Sequence, residues 1–292
     1  MATKINNLCV IGTGLIGGSL CLSLRKADAC QHIMGAGRSE ETLIKAKQLG
    51  IIDEYSTDIS EAVKDADVIF VSVPLGAMKA VFEKIAQGLQ KHNNNKAIIT
   101  DAGSSKQQVQ QIADEIFGSE AVRFVAGHPI AGTENSGPQA AFAELYDARR
   151  VILTPTEDTD KDAVKLVTDM WLATGAVVET MAADHHDKVL AATSHLPHLI
   201  AYGLVHCLEN LEDIEEVFRY AAGGFRDISR IASSDPVMWR DICLNNQQPI
   251  LDMMRRYRDE LDMIYNALES GDGDKLIEVF EHAKKTRDKF VH

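Results

Sequence analysis

Four groups of residues in this chain have the types and spacing to do chemistry. The segment His128-Pro129-Ile130-Ala131-Gly132-Thr133-Glu134-Asn135-Ser136-Gly137 puts an imidazole just past an apolar run, Val122 to Ala126, and ahead of a loop of hydroxyls and amides. A histidine in that place either exchanges protons with a ligand near neutral pH or sits as a satisfied surface group in an ordinary turn. Ser104, within Asp101-Ala102-Gly103-Ser104-Ser105-Lys106, stands at a strand-to-helix junction, where its hydroxyl either meets a ligand or caps the helix that follows. Those two roles are also divisible between Ser104 and Ser105. His195 and His198, in Ser194-His195-Leu196-Pro197-His198, are spaced i and i+3 and so share a helix face. No carboxylate stands at metalloprotease spacing and no cysteine is near, so they read as metal-free substrate contacts and no metal is expected. His185 and His186 precede that helix and read as solvated or capping groups. In Gly223-Gly224-Phe225-Arg226-Asp227-Ile228-Ser229-Arg230 and the following Ser234 to Arg240, arginines beside glycines either grip a carboxylate or pair at the surface with Asp227, Asp235 and Asp241.

A fifth group binds rather than reacts. Ile5 to Ile11 is a β-rich run, followed by Gly12-Thr13-Gly14-Leu15-Ile16-Gly17-Gly18 and a helical stretch, Ser19 to Lys26. Strand, glycine turn and helix in this order form the dinucleotide-binding context. Gly12 makes the tight turn, Gly14 lets backbone approach a pyrophosphate, and Gly17 lets helix pack on strand; Leu15 and Ile16 lie at the helix N-terminus that faces the phosphates. An NAD site would place a carboxylate about 20 residues further on, to bind the ribose 2′-hydroxyl. Here the second strand, His32 to Ala36, ends in Gly37-Arg38-Ser39 instead. Arg38 and Ser39 suit a 2′-phosphate and favour NADP over NAD, while an Arg38 that only stacks on adenine suits either.

The elements that must position these residues follow from periodicity. Apolar β-rich runs at Asp67 to Val73, Lys96 to Thr100, Val122 to Ala126, Val151 to Thr154 and Ala176 to Thr180 alternate with helical stretches, which predicts a doubly wound parallel sheet. The carboxyl edge of such a sheet is where ligands bind, and His128, Ser104 and the glycine loop all fall there. From about Asp184 onward helical spacing takes over, and Leu251, Met254, Tyr257, Leu261, Ile264 and Leu268 make one apolar helix face. The expected architecture is α/β: an N-terminal Rossmann domain over residues 1–183, then an all-α C-terminal domain over residues 184–292. The helical half is either a self-contained bundle or a surface for a second copy of the chain.

The whole-chain balance narrows the partners. A formal charge of −13 over 292 residues argues against nucleic acid or an anionic membrane as partner. The five cysteines show no paired or zinc-like spacing. The N-terminus runs almost at once into a strand, and the longest apolar stretch, Val189 to Val205, carries His195, Pro197 and His198. Neither a signal peptide nor a membrane span is expected, and a cytoplasmic location is.

Taken together and in order, the glycine loop, Asp101 to Lys106, His128 to Glu134, Ser194 to His198, and Gly223 to Arg230 with Asp235 to Trp239 resemble the prephenate/arogenate dehydrogenases of tyrosine biosynthesis. The resemblance runs from about Leu8 to beyond Trp239, and His128-Pro129-Ile130-Ala131-Gly132-Thr133-Glu134 is its most specific part. It implies NAD(P)-dependent oxidative decarboxylation of prephenate to 4-hydroxyphenylpyruvate, or of arogenate to tyrosine. It further implies that neutral His128 accepts from the ring hydroxyl and that Ser104 orients this hydroxyl and the nicotinamide. Arg230 would hold a carboxylate of the small anionic substrate, His195 and His198 would line its side-chain end, and Thr133 would shape the cofactor-facing wall. Activity is expected to fall as His128 protonates, near an ordinary pKa of roughly 6.5. Fold analogy makes the helical half a homodimer surface. The rival readings are a β-hydroxyacid dehydrogenase using Lys188, and a non-catalytic NADP sensor that would not need His128, Ser104 and Arg230 together.

Overall fold

The computed structural model describes residues 4–290 apart from 134 and 212. The chain begins β1 (Ile5–Ile11), α1 (Leu15–Lys26), β2 (Cys30–Ala36), α2 (Glu40–Gln48), β3 (Glu54–Ser56), α3 (Ile59–Ala62) and β4 (Val68–Val71). It continues α4 (Met78–His92), β5 (Ile98–Asp101), α5 (Gln107–Phe117), β6 (Phe124–Val125), β7 (Gly127–Pro129), β8 (Arg150–Leu153), α6 (Lys161–Ala173) and β9 (Val177–Thr180). The remainder is helical: α7 (Ala183–Leu190), α8 (Leu196–Glu209), α9 (Ile214–Arg219), α10 (Gly223–Ser229), α11 (Pro236–Asn245), α12 (Gln247–Ser270) and α13 (Gly273–Phe290).

Six strands form one parallel sheet in the order β3-β2-β1-β4-β5-β6. The order reverses between β1 and β4, which opens a crevice at their carboxyl ends. Both faces of the central strands are covered. Val10, Phe70 and Val125 pack on one side with Leu20, Leu24 and Trp171, while Ile11, Ile69 and Val71 pack on the other with Phe82, Ile85 and Phe124. Burial on both faces is why these strands read as unbroken apolar runs.

The last two expected strands do not extend this sheet. They form a separate sheet, β7-β8-β9, in which β7 runs antiparallel to β8, pairing His128 with Ile152. The chain leaves β6 after two residues, Phe124–Val125, because Val122 belongs to the short 3₁₀ turn Gly118–Arg123. His128 is therefore a strand residue of the second sheet, not the first residue of a loop. Apolar pattern marks such runs as strands, but which neighbour supplies their hydrogen-bond partners is a tertiary matter.

The chain packs as two compact units, Met1–Asn246 and Gln247–His292. In the second unit, Leu251, Met254, Leu261 and Leu268 of α12 and Ile277 and Phe280 of α13 are exposed. Among the described residues no helix is long and apolar enough to cross a membrane.

Candidate active site

The glycine loop has the shape its spacing predicts. Gly12 sits at φ +97°, and a Cβ there would lie 2.1 Å from the Ser72 carbonyl oxygen. A Cβ on Gly17 would lie 2.0 Å from the Gly12 oxygen, so helix and turn touch at this point. Gly14, the residue ahead of α1, has nothing within 4 Å of its Cβ position. No side chain caps α1 and no acidic residue stands in its first turn, so its N-terminal N–H groups face an open, uncontested site for a pyrophosphate. Leu15 is buried at the helix start, and the Ile16 carbonyl accepts from Tyr146 Oη at 2.6 Å. These residues fit a dinucleotide.

At the end of β2, Arg38 is exposed. Ser39 caps α2: its Oγ accepts from Thr42 N at 3.2 Å and from Thr42 Oγ1 at 3.0 Å, which leaves its own proton free to donate. The carboxylates that follow β2 are Glu40 and Glu41, exposed in the first turn of α2, and then Asp53, which is engaged with Arg25 and with the Ile33 N–H.

A second constellation is built around β5, β7 and α7. Lys106 is fully buried and its Nζ contacts Asp101 Oδ2 at 2.5 Å and the Gly127 carbonyl at 2.6 Å. Asp101 also accepts from the N–H groups of Gly103, at 2.7 Å, and Gly127, at 3.0 Å. Burial pulls the Lys106 ammonium below its ordinary value, against the opposing pull of Asp101. This satisfied buried pair ties the end of β5 to the start of β7 and so fixes where His128 stands.

His128 itself is 9% exposed. Its Nδ1 lies 2.9 Å from His186 Nε2, and His186 Nδ1 lies 2.8 Å from Asp187 Oδ1. The polarity of this line follows from its end. A carboxylate only accepts, so His186 carries its proton on Nδ1, its Nε2 accepts from His128 Nδ1–H, and His128 Nε2 is left as a bare acceptor. Burial, then His186, Lys106 and His195, hold His128 well below the ordinary histidine value. Burial likewise lowers His186, although Asp187 resists. Both rings are neutral near pH 7. The ordinary value of roughly 6.5 expected for His128 is therefore corrected: burial and its neighbours hold it well below that.

His186 was expected to be solvated or capping, and that is overturned, since it is fully buried between His128 and Asp187. The capping belongs to its neighbour. Asp187 accepts from the Lys106 and Gln107 N–H groups at 2.8 and 3.0 Å and so caps α5 from another helix. Ser104 does not cap α5. It is half-buried with no side-chain hydrogen bond among the described residues, and the Ser105 hydroxyl is buried without a partner.

Downstream, a π-helical turn, Ala191–His195, joins α7 to α8. Pro197 explains it: proline has no N–H and its ring crowds the carbonyl four residues back, so the helix widens ahead of it. His195 is buried and stands edge-on to Trp239, with ring centroids 6.1 Å apart. His198 stacks on the same indole at 3.8 Å and its Nδ1 donates to the Ser194 carbonyl at 2.9 Å. Burial pushes His195 down to about 4. His198 is lowered by burial and by the nearby Arg230 charge, which places Arg230 at this end of the site.

Arg230 is exposed and forms no ion pair among the described residues. Of the surface ion pairs that the alternative reading names, only Arg240–Asp241 forms among the described residues, with Asp241 buried, while Asp235 instead caps α11 through Met238 N. Thr133 is exposed, its hydroxyl accepting from Asn135 N at 3.2 Å, and is not joined to the buried cluster; Glu134 lies outside the described residues. Lys188, the residue a hydroxyacid dehydrogenase would need, is exposed and paired with Asp184. Sequence reading missed His186, Asp187 and Asn246, which belong to no spaced motif.

A profile of the prephenate dehydrogenase nucleotide-binding domain matches residues 20–180, and one of the prephenate dehydrogenase dimerization domain matches residues 182–282. The chain belongs to the prephenate dehydrogenase family. It is 38% identical to a prephenate dehydrogenase of Bacillus subtilis, over 97% of this chain and 76% of that one. It is 37% identical to a cyclohexadienyl dehydrogenase of Zymomonas mobilis, over 98% and 96%. Among solved structures, prephenate dehydrogenase from Aquifex aeolicus in complex with hydroxyphenyl propionate and NAD+ superposes with a TM-score of 0.90 at 37% identity, covering 99% of each chain. Members of this family are oxidoreductases, and the fold is the α/β one expected from the sequence, with a helical C-terminal region.

Proposed function

We propose that this chain is a cytoplasmic prephenate dehydrogenase of tyrosine biosynthesis, converting prephenate to 4-hydroxyphenylpyruvate with loss of CO2. The observation that carries the reading is the line Asp187–His186–His128, which ends in a neutral acceptor, His128 Nε2. A nicotinamide dinucleotide, once bound at the glycine loop, supplies the hydride acceptor. Through Nε2, His128 accepts a hydrogen bond from the ring hydroxyl and so favours carbonyl character at that carbon; aromatisation drives the rest. Ser104, uncommitted to capping, orients the same hydroxyl. Arg230 holds a substrate carboxylate, His195 and His198 line the side-chain end, and Thr133 borders the cofactor side.

Arogenate, with an amino in place of the keto group, is the alternative substrate, favoured by the likeness to a cyclohexadienyl dehydrogenase. For the cofactor we infer a preference for NADP. Ser39 has a free hydroxyl proton, Arg38 has no ion-pair partner among the described residues, and the position at the end of β2 is Gly37-Arg38-Ser39 and not a carboxylate, the first ones after it being Glu40 and Glu41 of α2. Residues 184–292 are read as the substrate-binding and dimerisation region of a homodimer, in keeping with the exposed apolar side chains of α12 and α13.

The test is reduced-nicotinamide absorbance with prephenate and arogenate, each with NAD and NADP. Turnover of prephenate with NADP at the highest kcat/KM is expected. No turnover in any of the four reactions would overturn the assignment, and a clear NAD advantage would overturn the cofactor preference. Arg230→Ala should raise KM for prephenate with kcat little changed; an unchanged KM would remove Arg230 from the pocket.

A further inference from the structure

A second histidine in the site has its polarity set by a residue outside every motif. Asn246, buried just past the end of α11, has its Nδ2 at 2.8 Å from the Asp187 carbonyl oxygen and at 3.0 Å from His195 Nδ1. A peptide carbonyl only accepts, so it must face the NH2 end of the amide and not its oxygen. The other N–H of that group then points at His195 Nδ1, which has to be the bare nitrogen. Because burial holds His195 at about 4, the ring is neutral and its single proton lies on Nε2. That Nε2 is buried and has no hydrogen-bond partner. A buried N–H without an acceptor is costly enough to mark a place an acceptor is meant to fill.

We propose that Asn246 is a positioning residue that locks His195 as a neutral Nε2–H donor, and that this donor receives a carbonyl or carboxylate oxygen of the substrate. The identity of the substrate rests on the reading above; the tautomer does not. The two histidines thus have opposite polarity and a common root. The Asp187 side chain, through His186, makes His128 an acceptor at Nε2, and the Asp187 main-chain carbonyl, through Asn246, makes His195 a donor at Nε2. A hydroxyl that gives a hydrogen bond and an oxygen that takes one would then be told apart by two rings of the same chemical type.

The experiment is two-bond 1H–15N correlation on the full chain labelled at histidine, without substrate, with the His195 signals assigned by their loss in His195→Gln. A proton on His195 Nε2 is expected, and on Nδ1 for His128. A proton on His195 Nδ1 in the wild-type protein would overturn the proposal whatever the variants do. Asn246→Asp keeps the volume but cannot donate, so it should move the His195 proton to Nδ1 or charge the ring, and raise KM for prephenate about ten-fold, the loss of roughly one hydrogen bond. Asn246→Asp with the Nε2 proton and KM both unchanged would also overturn it. Because the spectrum is recorded without substrate, failure to turn over prephenate would count against the assigned reaction and leave the tautomer result standing.

Discussion

At the residue scale the central candidate is His128, whose proposed role depends on staying neutral with Nε2 bare. Its burial and its cationic and imidazole neighbours, Lys106, His186 and His195, all act in that direction. His128→Asn should lower kcat by roughly 10²–10⁴-fold, the usual worth of such assistance, with KM changed only a few-fold. Wild-type turnover in steady-state assays of that variant would take His128 out of the mechanism. The pH dependence follows from the direction of the shift. A base whose pKa is depressed stays competent through the neutral range, so kcat should be flat between about pH 6.5 and 8 and fall only at lower pH. A midpoint at the ordinary histidine value would contradict the buried relay.

At the element scale, three junctions place the chemistry: the glycine turn before α1, the Lys106–Asp101–Gly127 tie between β5 and β7, and the capping of α5 by Asp187. The two inner glycines of the turn should respond differently to the same added methyl. Gly17→Ala would press a Cβ to 2.0 Å from the Gly12 oxygen and should destabilise the fold measurably by thermal denaturation. Gly14→Ala meets nothing in the protein and has an unstrained φ of −76°, so it should melt like wild type yet raise the cofactor KM. Equal melting temperatures for both variants would refute this division of labour. Asp187→Ala removes the acceptor for two N–H groups and the anchor of His186. It should cost about 1–3 kcal/mol in stability as well as most of kcat, and a denaturant titration with no shift would exclude the capping role.

At the scale of the whole molecule, buried neutral histidines make the folded state acid-sensitive. His195 titrates at about 4 when folded and near 6.5 when unfolded. A group with a depressed folded pKa contributes fully above the unfolded value, and that contribution is lost as pH falls through the window down to the folded one. For His195 this is on the order of 3 kcal/mol between about pH 6.5 and 4. His195→Gln should flatten the fall in melting temperature across that window, and an unchanged slope would show that other groups carry it. The exposed Leu268, Ile277 and Phe280 lead to a second expectation at this scale. Light scattering should give twice the 32.0 kDa chain mass, and Leu268→Glu should shift it towards one. A wild-type monomer would refute the dimer.

Much of this protein was legible in one dimension. Gly12, Gly14 and Gly17 were recognisable because turn, approach and packing each impose a residue type at a fixed spacing along continuous chain. His128, Ser104, His195 and His198 were recognisable because they lie in short motifs beside strand ends or on one helix face. What the sequence could not reveal was partnership across distance. His186 looked like a solvated residue because nothing local shows that β7 turns back against β8 and brings His128 to it. Asp187 caps a helix that begins 80 residues earlier, and Asn246 reaches a histidine 51 residues away. The candidacy of the His128 imidazole was therefore a property of the sequence. Its tautomer and its depressed pKa were decided only by the tertiary structure, because protonation state depends on which groups burial brings within hydrogen-bonding distance, and no local pattern encodes that.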